Sequence, residues 1–155
     1  MPDSRIELLF GKGVLPVSLP EGVRPTVIRK GALPKLPNPA AAIAEALASP
    51  IGSASLADLA RGRNSACILI CDITRPVPNH LFLRPMVETM VAAGIPLAAI
   101  TILVATGLHR PNEGEELAEL VGDPWVMANV RIENHFARDE AMHVDLGHTA
   151  TRGTL

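Results

Sequence analysis

The sequence contains no tyrosine and few other aromatic residues. Its 155 residues include one tryptophan and three phenylalanines, too few to build a stacking platform for single-stranded nucleic acid. The formal net charge is -2 at pH 7, and no basic run is present that could follow a phosphate backbone. Composition therefore predicts no nucleic-acid partner.

Cysteine is scarce, and no targeting or membrane-spanning segment is evident. Cys67 and Cys71 face the same way on one predicted strand, where a disulfide is geometrically poor and two thiols make an incomplete zinc site. We interpret them as small buried residues of a reducing, cytoplasmic protein. The run 90–108 carries no charge, but Gly94-Ile95-Pro96 interrupts it, so helix, turn and strand describe it better than a membrane span. The N-terminus lacks the apolar core of a signal peptide.

Proline is abundant, and the 14 prolines separate short structural elements. Residues 6–10 and 14–18 flank a glycine-containing turn and predict a β-hairpin. Asn38, followed by proline and an alanine-rich run, predicts the start of a helix, and Ser55 predicts the start of a second one. Residues 1–63 are therefore predicted to form a hairpin with a helical cap.

Strands and helices alternate in the remaining part, residues 64–155. Apolar, β-branched runs predict strands at 66–72, 99–105 and 130–134, with helices between them. In the first of these helices the apolar residues recur at helical spacing: Phe82, Met86, Val87, Met90 and Val91. Such alternation favours parallel pairing with right-handed crossovers. The predicted class is α/β, a Rossmann-like, mostly parallel three-layer sheet in a single domain over residues 1–155, with an N-terminal β-hairpin and helical cap.

Polar residues follow two of the predicted strands at the point where each one ends. Asp72, Thr74 and Arg75 follow the first strand, and His109 follows the second. Ligands bind at the carboxyl ends of strands in open α/β sheets. An arginine there can clamp a carboxylate or phosphate, and a histidine can act as general acid or base. The alternative is a self-satisfied turn, in which Asp72 bonds backbone amides and pairs with Arg75 while His109 is a surface residue.

Three later histidines and an acidic cluster favour structural roles. The spacing of His135, His143 and His148 matches no compact zinc pattern, so the sequence predicts no metal ligands. His135 lies at a predicted strand end, however, and could line the same crevice as His109. The glutamates within residues 113–116 favour the positive end of a helix dipole.

Two motifs in combination resemble the nickel-pincer lactate racemase family. They are Asp72-Ile73-Thr74-Arg75-Pro76-Val77-Pro78 and Ala105-Thr106-Gly107-Leu108-His109-Arg110-Pro111, in this order. Leu9-Phe10-Gly11-Lys12-Gly13 near the start is also similar to the family. The resemblance extends over essentially the whole chain and is to the N-terminal domain of these enzymes.

The resemblance implies an enzyme that interconverts the enantiomers of a 2-hydroxy acid. It implies proton-coupled hydride transfer to a nickel-pincer pyridinium mononucleotide, with the cofactor supplying the difficult step. Carried over by motif, Asp72, Ile73, Thr74 and Arg75 would contact the cofactor. Arg75 would also lie near the substrate carboxylate, and His109 would be one of two acid/base histidines.

The family's covalent lysine, nickel-ligating histidine and second catalytic histidine lie downstream of the matched region. The chain therefore resembles the front part of an enzyme whose catalytic C-terminal portion is missing, and we expect it to be inactive alone. Apolar surface left open by a missing domain would favour homo-oligomers. The alternative is a short, non-catalytic α/β module that binds a phosphorylated ligand or a partner domain.

Overall fold

The computed structural model describes residues 5–151 and 153–154. The strands, in chain order, are Arg5–Phe10 (β1), Gly13–Ser18 (β2), Ala66–Cys71 (β3), Ile100–Ala105 (β4), Arg131–Asn134 (β5), His148–Thr149 (β6) and Gly153–Thr154 (β7). The helices are Pro39–Ala48 (α1), Leu56–Ala60 (α2), Asn79–Ala92 (α3), Gly114–Val121 (α4) and Pro124–Asn129 (α5). The chain divides into two units, Met1–Lys35 and Leu36–Leu155.

Unit 1 contains the hairpin that the sequence predicts. β1 and β2 pair antiparallel, with Phe10 opposite Gly13 across the turn. Gly11 lies in the left-handed region at φ 56°, which a residue without a Cβ adopts at little cost. Pro16 is tolerated because a two-stranded sheet consists only of edge strands.

Unit 2 is built on a parallel sheet with the strand order β3-β4-β5. Alternate residues of β3 and β4 are buried, among them Ile68, Ile70, Ile102 and Val104. Right-handed crossovers that step in one direction along a sheet place their helices on the same face. The α/β class, the parallel sheet and the N-terminal hairpin are therefore confirmed, and the described residues form a helical layer over the face that bears Ile68 and Ile70.

The helix α3 is central to the packing of unit 2, because α1, α2, α4 and α5 all contact it. Its buried positions are Asn79, Leu83, Val87 and Met90. Of the apolar residues that recur at helical spacing, Val91 lies off the buried stripe, since its side chain is 39% exposed, while Leu83 is fully buried. At 100° per residue, Val91 lies about 80° around the helix axis from the centre of the buried stripe.

The interpretation of both cysteines as buried is also wrong, although they do share one face of β3. Cys67 and Cys71 are exposed, and Leu69 between them is 69% exposed. Periodicity places these three residues on one face, but only a second covering layer would bury them. In the described part of the chain, no helix has the length and apolar character needed to cross a membrane.

Candidate functional site

The candidate site lies at the carboxyl edge of the parallel sheet, where β3, β4 and β5 end. After β3 the chain turns tightly, as the Arg75 amide donates to the Asp72 carbonyl at 3.1 Å and the Val77 amide to the Arg75 carbonyl at 2.8 Å. Prolines at 76 and 78 restrict the backbone further before α3 begins. The Asp72–Arg75 segment is thus held in one conformation by its own backbone.

Asp72 is the buried charge of the site, with only 5% of its surface exposed. Its Oδ1 accepts hydrogen bonds from the Thr74 amide, at 3.1 Å, and from the Thr74 hydroxyl. Its Oδ2 contacts Nδ1 of His109. The Thr74 hydroxyl, and then His109, lower the pKa of Asp72 below its usual range and outweigh the opposing effect of burial. The carboxyl group is therefore ionised at neutral pH.

His109 reaches this carboxylate from the loop after β4. Its amide donates to the Thr106 carbonyl at 3.0 Å, and Gly107 between them has φ 58°, a value that favours glycine. The histidine side chain is 57% exposed. Because Asp72 engages Nδ1, the other ring nitrogen, Nε2, is the one left to meet a ligand.

Arg75 lies beside this pair and is exposed. Among the described residues, no carboxylate lies within ion-pair distance of its guanidinium group. The self-satisfied turn considered above is therefore only half right. Asp72 does bond the Thr74 amide, but the side chain that contacts its other oxygen is His109 and not Arg75.

The sequence analysis missed Asn112, which connects the loops of all three strands. It is 2% exposed; its Oδ1 accepts from the Ile73 amide at 3.2 Å, and its Nδ2 donates to Glu116 at 2.9 Å. Its backbone N–H and C=O both bond the side-chain amide of Asn134, each at 2.9 Å. A buried asparagine that uses all four polar groups fixes the relative positions of the three strand ends.

Glu116 extends this network to Arg110. The two side chains form a bidentate pair, whose second bond joins Nη2 of Arg110 to Oε1 at 2.7 Å. Arg110, followed by Asn112, lowers the pKa of Glu116 to about 2. Glu116 does lie in the first turn of α4, as predicted, but its partner is a guanidinium group as well as the helix dipole.

The third strand contributes His135. Its amide donates to the Val104 carbonyl at 3.0 Å, and its own carbonyl accepts from the Thr106 hydroxyl. With His109 it lines a small cavity of about 120 Å³, so the expectation that it could share the crevice holds. Its Nε2 lies 3.3 Å from Nε2 of His143, while His148 belongs to β6. No group of three potential ligands for a metal ion occurs among the residues described.

Known proteins of one family match this chain. Residues 10–155 match the lactate racemase N-terminal domain. A lactate racemase from Lactiplantibacillus plantarum is 38% identical over 111 residues, covering 72% of this chain and 26% of the relative. A lactate racemase from Thermoanaerobacterium thermosaccharolyticum is 32% identical over 125 residues, 79% of this chain and 29% of the relative.

The fold also matches a solved structure. The lactate racemase apoprotein from T. thermosaccharolyticum superimposes with a TM-score of 0.70 at 28% identity, over 97% of this chain and 34% of that protein. The chain thus spans between a quarter and about a third of the length of the relatives it matches.

Proposed function

The chain belongs to the lactate racemase N-terminal domain family, and from this premise we propose that it supplies part of the active site of a longer racemase. The substrate class is a 2-hydroxy acid, and the reaction inverts its α-carbon. The observation that carries the proposal is the contact between the buried Asp72 carboxylate and the exposed His109 imidazole, made by loops from two adjacent parallel strands. This arrangement orients a titratable group toward the carboxyl edge of the sheet, where ligands bind in such folds.

His109 acts as the acid/base in this proposal. An ionised Asp72 favours the tautomer that carries its proton on Nδ1, which leaves the lone pair on Nε2 free to accept the substrate's hydroxyl proton. The same carboxylate stabilises the imidazolium ion that results. The hydroxy acid is restored when this proton returns from Nε2 to oxygen and a hydride returns to the α-carbon.

Arg75 is proposed to hold the carboxylate of the substrate or a phosphate of the cofactor. An exposed guanidinium group without a carboxylate partner in the described structure is available for such an anion. The exposed Thr74 adjoins it, and Gly107 has open space where a Cβ would stand, so the backbone can approach a ligand closely. These groups fit an anionic mononucleotide.

The cofactor that we propose is the nickel-pincer mononucleotide, which when bound supplies an acceptor for the hydride of the α-carbon. Thr74, Arg75 and the backbone near Ile73 would hold it. Asp72 would act indirectly, because both of its oxygens are already engaged by Thr74 and His109. Lys12, Lys30 and Lys35 are the three lysines of the sequence, and all precede the two motifs that resemble the family, so a covalent anchor is proposed to come from the rest of the longer protein.

The decisive experiment replaces His109 by glutamine in the longer racemase that contains this domain. We expect the rate of racemisation to fall by at least about 100-fold, the usual contribution of a positioned acid/base. Thermal unfolding should be unchanged, because the imidazole is largely exposed. His80→Gln is the matched control, since His80 lies beside Gly122 at the start of α3.

Racemisation at the wild-type rate in the His109→Gln enzyme would remove His109 from the mechanism. It would favour the non-catalytic module, for which this histidine has no chemical role. The proposal also predicts no racemisation by the 155-residue chain alone, because the covalent lysine and the second catalytic histidine that the family resemblance implies lie downstream of the matched region.

A further inference from the structure

One face of the sheet in unit 2 is apolar and open. On it the strand register pairs Cys67 with Thr101, Leu69 with Leu103, and Cys71 with Ala105; we call these six residues the open face. Leu69 at its centre is 69% exposed, whereas Ile68 and Ile70 on the opposite face are each 5% exposed. The open face ends at β5, where Arg131 pairs with Glu133. Its apolar part therefore belongs to β3 and β4.

The topology explains why this chain leaves the face open. The strand order β3-β4-β5 runs in one direction, so right-handed crossovers place their helices on one side only. Parallel sheets are normally buried on both faces. Within the described residues, β3 also has no neighbour on its outer edge. To cover the open face by the same crossover rule, further strands must lie beyond β3, with helices on the other side.

We propose that the open face and the free edge of β3 dock the part of a lactate racemase polypeptide that this chain does not span. The added part would place a strand beside β3 and a covering layer over Leu69 and Leu103. This inference rests on the proposed function for the identity of the partner, and the length of the relatives supports it. The chain spans 26% and 29% of two of them, so some three quarters of each relative lie outside the matched region and could supply the covering part.

A second copy of the chain fits the same surface less well. The Asp72–Arg75 segment follows β3 directly, and Arg75 is exposed. If the remaining racemase sequence added a strand along the free edge of β3, β3 would become an internal strand. The strand order would then reverse direction at β3, and open α/β sheets bind ligands at such a reversal point. The same contact would then bury the open face and complete the site.

Alkylation of the two cysteines tests this proposal, because both lie on the open face and no other cysteine occurs in the sequence. Iodoacetamide labelling, followed by mass spectrometry, gives the rate at each thiol. In the 155-residue chain we expect Cys67 to react within about threefold of its rate in denaturant. In the longer racemase polypeptide that contains this domain, we expect its rate to fall at least tenfold.

Leu69→Lys provides a second, independent measurement. In the 155-residue chain the lysine should leave the thermal midpoint unchanged, since Leu69 is already exposed. In the longer polypeptide it should lower the midpoint, because docking would bury a charge. Leu59→Lys is the matched control: Leu59 is 52% exposed on α2, and the substitution should be neutral in both proteins.

Three results would overturn the proposal. They are equal Cys67 labelling in the chain and in the longer protein, a neutral Leu69→Lys in the longer protein, and a 155-residue chain that is dimeric with Cys67 protected. The last would identify a second copy as the occupant. Neither measurement needs turnover, so protection of Cys67 in a protein that does not racemise would support the docking surface and contradict the proposed function instead.

Discussion

At the scale of single residues, the buried side chain of the site is the one that positions its neighbour, and the exposed side chains are the ones that can meet a ligand. Asp72 is enclosed, is saturated with hydrogen bonds and has a lowered pKa, so it remains a fixed negative charge. His109 and Arg75 are exposed beside it. A fixed charge in contact with Nδ1 selects one tautomer and one orientation of the exposed imidazole. Replacing Asp72 should therefore change the tautomer and orientation of His109, and any effect on a bound ligand should follow from that change.

Asn112 is the residue whose loss should loosen the site most. Asn112→Ala removes the acceptor of the Ile73 amide and the donor to Glu116, and we expect a loss of about 1–3 kcal/mol in the free energy of unfolding. Amide hydrogen exchange at Ile73 should accelerate as well. Asn129→Ala, which removes a hydrogen bond on the exposed end of α5, should change stability by less than about 0.5 kcal/mol. Urea unfolding distinguishes the two; equal losses would contradict a special role for Asn112.

Glu116 should shape the acid stability of the protein. Its pKa is about 2 in the fold and 4.5 ordinarily, so in this window the unfolded chain binds more protons and stability falls as the pH falls. The contribution is complete above about pH 4.5 and is lost toward pH 2. Asp72, also lowered, adds a loss in the same direction below its ordinary value of 3.8.

The test for Glu116 is urea unfolding of wild type and Glu116→Gln at a series of pH values. The variant should show a shallower decline of unfolding free energy below about pH 4.5. Glu115→Gln, an exposed neighbour in the same first turn, is the control and should retain the wild-type slope. Identical slopes for wild type and Glu116→Gln would mean that the pair with Arg110 does not persist in solution.

At the scale of elements, the C-terminal end of α4 requires a glycine at position 122. Gly122 caps the helix at φ 66°, and a Cβ there would stand 2.9 Å from Cβ of His80 on α3. Gly122→Ala should therefore incur both backbone strain and a clash. Gly52→Ala is the matched control, because Gly52 has φ 71° and open space around it. We expect about 1 kcal/mol of destabilisation for Gly52→Ala and at least about 1 kcal/mol more for Gly122→Ala. Equal effects would show that α3 and α4 can separate without cost.

Local sequence patterns predicted the elements whose ends are marked by a capping residue, a glycine or a proline. Asn38 does cap α1, accepting from the Ala41 amide at 3.0 Å, and Gly94 follows α3 at φ 111°. The α5 helix was missed even though Asp123 caps it and Pro124 opens it, because six residues are too few to show a period. Because the carboxyl ends of parallel strands lie at one edge of a sheet, the sequence placed Asp72 and His109 in one candidate site. It did not predict the contact between them.

The features that could not be predicted from the sequence depend on contacts between residues far apart in the chain. Asn112 forms hydrogen bonds with Ile73, 39 positions away, and with Asn134, 22 positions away. The periodic patterns of helices and strands do not predict contacts between residues so far apart in the sequence. The exposure of Cys67 and Cys71 is equally invisible, because it is decided by what covers the sheet and not by the strand itself. Under the proposed docking, Cys67 and Cys71 would be buried only in the longer protein.

At the scale of the whole molecule, unit 2 carries the core. Every buried hydrophobic residue of the described structure lies between Ala60 and Val130. In unit 1, Leu9 is 92% and Phe10 70% exposed, and an isolated two-stranded hairpin is marginally stable in water. Deletion of residues 1–35 should therefore leave unit 2 folded, with its free energy of unfolding within about 1 kcal/mol of that of the full chain.

Urea unfolding of residues 36–155 beside the full chain checks this expectation, with near-ultraviolet circular dichroism at Trp125 as a probe inside unit 2. A single cooperative transition with the same midpoint in both proteins would show that the site at the sheet edge is supported by unit 2 alone. A drop of several kcal/mol would mean instead that residues 1–35 contribute to the stability of the fold, and it would contradict the inference from the exposed Leu9 and Phe10.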